Sequence, residues 1–160
     1  MAVTVAIETP LQDDVRRLVA ALNDHLLPLS PIEFQFKMTV EQMAGDDTTV
    51  FVARTEDGRA VGIGALKVHD AELGEVKRMF TDPEVRGQRV GVAILQAVIG
   101  LARRKGLSQL MLETGTGEGF AGAHRLYERY GFTPRGAFLD YPDSEWSAFY
   151  EMRLTVPATA

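Results

Sequence analysis

The chain has no cysteine and only three histidines, at positions 25, 69 and 124, in 160 residues. Without cysteine there can be no thiol nucleophile, no disulfide and no Cys-based zinc site, so protein-borne chemistry must use oxygen or nitrogen. The histidines show no His-x-x-x-His or other ligand spacing, and no metal site is expected. Neither a Gly-x-Ser-x-Gly elbow nor a Gly-x-x-x-x-Gly-Lys-Ser/Thr loop occurs, which removes the obvious hydrolase and P-loop readings. Positive charge is also scarce: 17 Lys plus Arg against 22 Asp plus Glu gives −5, the wrong sign for a protein whose affinity comes from neutralising nucleic-acid phosphates. No nucleic-acid partner is expected, and any anion site must be local. No apolar run approaches the roughly 18 residues of a membrane span, and Met1 to Pro10 carries neither a basic n-region nor an apolar h-region. The expectation is therefore no membrane partner and a cytoplasmic location.

What is present is an ordinary globular composition, 46% apolar and 24% charged, at a length that suits one domain. We expect that domain over residues 1–155, with 156–160 as a short tail that has too little to bury. Val3 to Glu8 reads as a strand. Thr9-Pro10-Leu11-Gln12 offers an N-cap, a first-turn proline and a capping-box glutamine, predicting a helix from there with Leu11, Val15, Leu18, Leu22 and Leu26 on one face. Pro28 and Pro31 stop it, and Leu27 to Thr39 reads as an irregular lid. Thr49–Thr55, Ala60–His69 and Leu73–Thr81 form an antiparallel meander of period two. From Gln88 the period becomes helical through Val90, Ile94, Ala97, Val98 and Leu101, ending in Arg103-Arg104-Lys105 before a C′ glycine at Gly106. A short strand at Gln109–Glu113, a glycine-bearing turn, a helix over Ala121–Tyr130 and strands at Phe132–Phe138 and Ala148–Leu154 complete the pattern. The fold class is α/β (α+β), a mixed and mostly antiparallel central sheet of about six to seven strands flanked by helices.

The segment from Glu75 to Ala93 runs strand, turn, glycine-bearing loop, helix start, an arrangement that binds phosphate. A helix N-terminus leaves about four N–H groups unpaired and adds roughly half a positive charge. On local grounds alone, Gly87 could equally be turn punctuation and Gly91 a close packing point. The residues Val85-Arg86-Gly87-Gln88-Arg89-Val90-Gly91-Val92-Ala93, however, resemble the acetyl-coenzyme A loop of the GNAT superfamily of N-acetyltransferases, written Arg/Gln-x-x-Gly-x-Gly/Ala. Gln88-Arg89-Val90-Gly91-Val92-Ala93 satisfies it literally. In the register that starts at Arg86, Arg89 stands where the family prefers glycine. Downstream, Ala123-His124-Arg125-Leu126-Tyr127-Glu128-Arg129-Tyr130-Gly131-Phe132 is similar to the family's Ala-x-x-Leu-Tyr-Glu-x-x-Gly-Phe, although Phe120 replaces a common asparagine. The element order is also that of the family, so the resemblance spans most of the chain. The Leu112–Gly115 and Phe138–Tyr141 segments look like those of small bacterial members.

The resemblance implies acetyl-coenzyme A as co-substrate and direct attack of an amine on the thioester. The cofactor contacts it implies are Arg86, Gly87, Gln88, Arg89, Val90, Gly91, Val92 and Ala93, with backbone N–H groups of Met79, Phe80 and Thr81 along the pantetheine arm. Tyr127 matches the tyrosine beside the sulfur and is expected to act as general acid; otherwise it would read as part of a buried helical stripe. Glu75 resembles the glutamate that takes the ammonium proton, with Glu113 its competitor. The acceptor, a small-molecule primary amine or amino-acid-like compound ahead of a protein N-terminus or lysine, which a lid with two prolines would crowd, is expected between the lid and the late loop, walled by Glu33, Phe34, Tyr141 and Trp146. Glu33, Asp140, Asp143 and Glu145 would attract a cationic amine. Homodimers are common in the family, and an exposed sheet edge could pair between chains. A non-catalytic acyl-coenzyme A sensor is the alternative, and Tyr127 argues against it. Gly117-Glu118-Gly119-Phe120-Ala121-Gly122 is a literal Gly-x-Gly-x-x-Gly, but too little chain follows for the strand–helix units of a dinucleotide fold, so it reads as a loop near the acetyl site.

Overall fold

The computed structural model describes residues 2–154; the expected tail at 156–160 lies outside them. The alternating segments form a seven-stranded sheet in the order β1-β2-β3-β4-β5-β7-β6. The strands are β1 (Val3–Ile7), β2 (Thr48–Thr55), β3 (Ala60–Val68), β4 (Leu73–Thr81), β5 (Gln109–Gly115), β6 (Thr133–Arg135) and β7 (Ser147–Arg153). All neighbours are antiparallel except β4 and β5. That pair is parallel because the long helix α3 (Val90–Arg104) carries the chain back across the sheet between them.

Helices cover both faces. On one, Val90, Ile94, Leu95 and Val98 of α3 pack on Val61, Leu66, Val76 and Leu112, joined by Tyr127 of α4 (Ala121–Arg129). On the other, Val15, Leu18, Val19 and Leu22 of α1 (Asp13–Leu26) pack on Val50, Val52, Ile63 and Phe80. Strands buried on both sides explain why β3 reads as a nearly continuous apolar run and not an alternating one.

Helix α1 begins later than the Thr9 signature suggests. Thr9 Oγ1 accepts only from the Leu11 N–H, and Leu11 stays 48% exposed. Gln12, extended at φ −144°, is the residue before the helix, and its amide donates to Thr9 O and Glu8 Oε1. Asp13 and Asp14 then occupy the first turn, where the helix dipole favours them. Arg54 of β2 fixes this entry by donating to Glu8, Asp14 and Gln12, holding both carboxyls below their ordinary range. The capping box lies instead at Thr39 and Gln42, opening a four-residue helix α2 (Val40–Met43) at the end of the lid. The expected Phe132–Phe138 strand shrinks to Thr133–Arg135. Pro134 has no N–H for a second ladder, so β6 lies at the sheet's outer edge, and Phe138 turns away to pack on Met111 and Phe149.

Candidate active site

The parallel pairing of β4 and β5 covers only Leu73–Glu75 against Gln109–Met111. Beyond it the strands diverge, and the reason lies in β4. Ile63 faces Phe80 and Ala65 faces Lys77, so Gly64 alone stands opposite Arg78 and Met79. This is a β-bulge, with Arg78 at φ +56°. A Cβ on Gly64 would lie 2.6 Å from Met79 Sδ and 2.5 Å from Ile94 Cγ2, so glycine is what lets the bulge pack onto α3. The bulge bends β4 away, opening a cleft of about 730 Å³ walled by Val76–Thr81 on one side and Glu113–Gly115 on the other. The lid roofs it: Leu29 packs on Gly119, and the Gln35 amide donates to the carbonyls of Leu26, Leu27 and Ser30. The Gly-x-Gly-x-x-Gly segment is thus a short 3₁₀ turn before α4 at the mouth of the cleft.

One end of the cleft is the start of α3. That 15-residue helix has no side-chain cap and no acidic residue in its first turn. Nearby Asp82 and Glu84 are held by Arg59 at 2.9 and 2.7 Å. Gly87, at φ +84°, forms the turn. Gly91 has no packing reason to be glycine, since an added Cβ would make only ordinary contacts at 3.5 and 3.6 Å with Leu126 and Thr81. What its missing side chain leaves is open approach to bare N–H groups, which fits a pyrophosphate. Met79, Phe80, Thr81, Arg86, Gly87, Arg89, Val90, Gly91 and Val92 line the cleft, whereas Gln88 and Ala93 do not. Because β4 pairs β3 on its other edge, the edge of Met79–Thr81 facing β5 has no strand partner there.

Arg89 precedes α3 in the left-handed region, φ +65° and ψ 22°. This gives the preference for glycine at this position a physical cause, and the side chain instead reaches Tyr130 Oη at 3.3 Å. Arg89→Gly should stabilise the fold by about 0.5–1 kcal/mol in urea denaturation, relieving strain that exceeds glycine's entropic cost. Arg89→Ala, which keeps the Cβ, should bring no such gain.

At the other end Tyr127 is buried, edge-on to Phe132, with no described residue hydrogen-bonding its hydroxyl. Burial and the neighbouring Glu113 carboxylate push its pKa well up, so it stays protonated. The two candidate carboxylates differ. Glu75, 2% exposed, accepts from Tyr141 Oη at 2.5 Å and from Lys77 Nζ at 3.4 Å, and its other oxygen is 2.8 Å from His69 Nε2. Among the described residues Glu113 has one hydrogen-bonding partner, Ser147 Oγ at 2.8 Å, and burial pushes it up to about 7 against weaker lowering by Ser147 and Lys77.

Of the expected acceptor residues, only Phe34 lines the cleft. Tyr141 stands behind the wall, on Glu75, Lys77 and Phe36. Glu33 is exposed on the outside of the lid, Trp146 is half-buried away from the cleft, and Asp140, Asp143 and Glu145 are exposed. Loop acidity in sequence carried no information about which way those side chains turn. Lys77, Arg78 and Gln35, which do line the cleft, had no such signal because strand alternation is broken at the bulge. Among the described residues no cluster of His, Asp or Glu could hold a metal ion, and no helix is long and apolar enough to cross a membrane.

Comparison with known proteins places this geometry. Residues 46–134 match the family model described as an acetyltransferase (GNAT) domain. The chain is 39% identical over 153 residues to an IAA acetyltransferase of Azospirillum brasilense, covering 95% of this chain and 98% of that one. It is 35% identical to an uncharacterized N-acetyltransferase, YedL, of Escherichia coli K12, covering 88% and 87%. A solved structure from Klebsiella pneumoniae, assigned to the acyl-CoA N-acyltransferases, superposes with a TM-score of 0.78 at 31% identity, covering 96% and 98%. A GNAT-family acetyltransferase of Elizabethkingia anophelis with acetyl-CoA bound shares the fold at a TM-score of 0.70 and 18% identity, covering 95% and 98%.

Proposed function

The chain belongs to the GNAT acetyltransferase family, an acyltransferase using acetyl-coenzyme A, and from that premise we propose that it acetylates the primary amine of a small molecule by direct attack. The observation that carries the reading is Tyr127, a buried phenol whose hydroxyl has no hydrogen-bond partner among the described residues, on the wall where β4 and β5 part. The uncapped start of α3 supports a pyrophosphate seat, and the unpartnered edge of Met79–Thr81 supports donors to the pantetheine arm and the thioester oxygen.

Glu113 is the proton acceptor in this account. Its carboxylate titrates near neutrality and has one donor, whereas Glu75 is engaged by three residues and serves to hold Lys77 and Tyr141 in place. Glu113 takes a proton from the ammonium, and the neutral nitrogen attacks the thioester carbon. As the carbon–sulfur bond breaks, Tyr127 gives its proton to the departing sulfur. A bare phenolate would be costly in this buried position, and the proton that the nitrogen sheds on becoming an amide restores the phenol. The products are an acetamide and a free thiol, and no covalent bond to the protein forms.

Tyr127→Phe keeps the ring packing and removes the proton. It should lower turnover at saturating amine by at least about tenfold, with acetyl-coenzyme A affinity unchanged in calorimetry. Unchanged turnover would remove Tyr127 from the mechanism.

A further inference from the structure

The wall of the cleft on the α1 side carries a charge that acetyl-coenzyme A does not explain. Arg78 is 8% exposed and lines the cleft. Its guanidinium donates to Asn23 Oδ1, a neutral group, its Nε has no hydrogen-bond partner, and none of the ion pairs among the described residues includes it. Burial lowers its pKa to about 10, as expected for a cation with little compensating anion nearby. Its backbone is left-handed as well. A desolvated cation costs free energy, and Asn23, being neutral, supplies no opposite charge. A ligand that supplies an anion to the guanidinium from the cleft would offset that cost.

That anion is not the cofactor's. The phosphates of coenzyme A belong at the start of α3, whose helix packs on the opposite face of the sheet from α1. The acetyl and pantetheine groups that run along β4 are uncharged. The lid adds Lys37 to the same cavity, with no ion pair among the described residues, while Lys77 is already matched by Glu75.

From these groups we propose that the acceptor is a primary amine bearing a carboxylate, of the amino-acid class, with the carboxylate on Arg78 and the amine directed to Glu113. This rests on the N-acetyltransferase reading above. Within the expected small amine or amino-acid-like class it favours the latter, and the exposed Asp140, Asp143 and Glu145, which do not line the cleft, are not its recruiters.

The test measures thiol release from acetyl-coenzyme A with the common α-amino acids and with the amines obtained by removing their α-carboxyl groups. At least one amino acid should exceed its decarboxylated counterpart by about 100-fold in kcat/KM, since a lost charge-assisted bidentate contact typically costs that much. In Arg78→Met that preference should collapse through KM while acetyl-coenzyme A binding is unchanged. Arg78→Lys, which keeps the charge but not the planar guanidinium fork, should recover part of it and carries the test if Arg78→Met does not fold. Turnover of the decarboxylated amines equal to or above that of the amino acids would overturn the proposal and leave the transferase reading standing. If neither set is turned over, the transferase reading fails. The anion site is then read by calorimetric titration of the N-acetylated amino acids in the presence of coenzyme A. Binding to wild type that Arg78→Met abolishes would support the site, and no binding would overturn it.

Discussion

Gly91→Glu should abolish acetyl-coenzyme A binding without harming the fold. The two effects have opposite signs because the position is constrained by the ligand and not by packing. An added Cβ meets Leu126 and Thr81 only at ordinary contact distance. A carboxylate in the first turn of α3, which has no acidic residue, interacts favourably with the helix dipole, and glutamate is the better helix former. Stability should rise by about 0.5–1 kcal/mol in denaturant melts. The same carboxylate lies where the pyrophosphate would sit, adding steric exclusion to charge repulsion, so affinity should fall by more than about 10³-fold in calorimetry. Retained binding would move the donor site elsewhere, and a collapse of stability would assign Gly91 to packing.

Glu113→Gln should cost about 10²- to 10³-fold in kcat/KM and erase the acid limb of the pH profile. In wild type that limb should have a midpoint near 7, the value to which burial raises this carboxyl. Glu75→Gln should leave the limb in place. Stability should move the other way. A carboxyl raised from 4.5 to about 7 on folding favours the fold while protonated, and that advantage is lost as pH rises through about 7. The ionised group therefore carries a penalty of about 3 kcal/mol above that pH. Glutamine removes it, so the variant's advantage should grow between pH 4.5 and about 7 and then level off. An unaltered acid limb in Glu113→Gln would exclude it as the base.

Much of the fold was legible because its signals are local. The stripe of α3, the glycine after it and the turn residues that bound the three meander strands each follow from nearest neighbours, and the observed bounds agree within a few residues, although β3 is buried on both faces and does not alternate as a period of two predicts. Ambiguity entered where two signals competed. Thr9 and Thr39 both precede a glutamine by three residues, and only tertiary contacts, with Arg54 holding Glu8 and Asp14, decide which one caps a helix. The glycine-bearing loop at the mouth of the cleft was readable for the same reason, as Gly87–Gly91 sits directly before its helix. The cleft wall at Arg78 was not. Its character depends on a bulge opposite Gly64 that turns Arg78 toward α1, and no sequence periodicity announces a bulge. The different hydrogen bonding of Glu75 and Glu113 was hidden likewise, since it depends on donors brought from β4, β7 and the loop at Tyr141.

The central claim is that this cleft transfers an acetyl group to an amine and does not merely hold the donor. The most direct measurement is release of free coenzyme A thiol from acetyl-coenzyme A by the wild-type protein, with and without a panel of primary amines that includes the α-amino acids. The account predicts thiol release that saturates with both substrates, yields one acetylated amine per thiol and leaves no acetyl group on the protein. Saturable binding of acetyl-coenzyme A with no amine-dependent thiol release would contradict it and leave an acyl-coenzyme A-binding module.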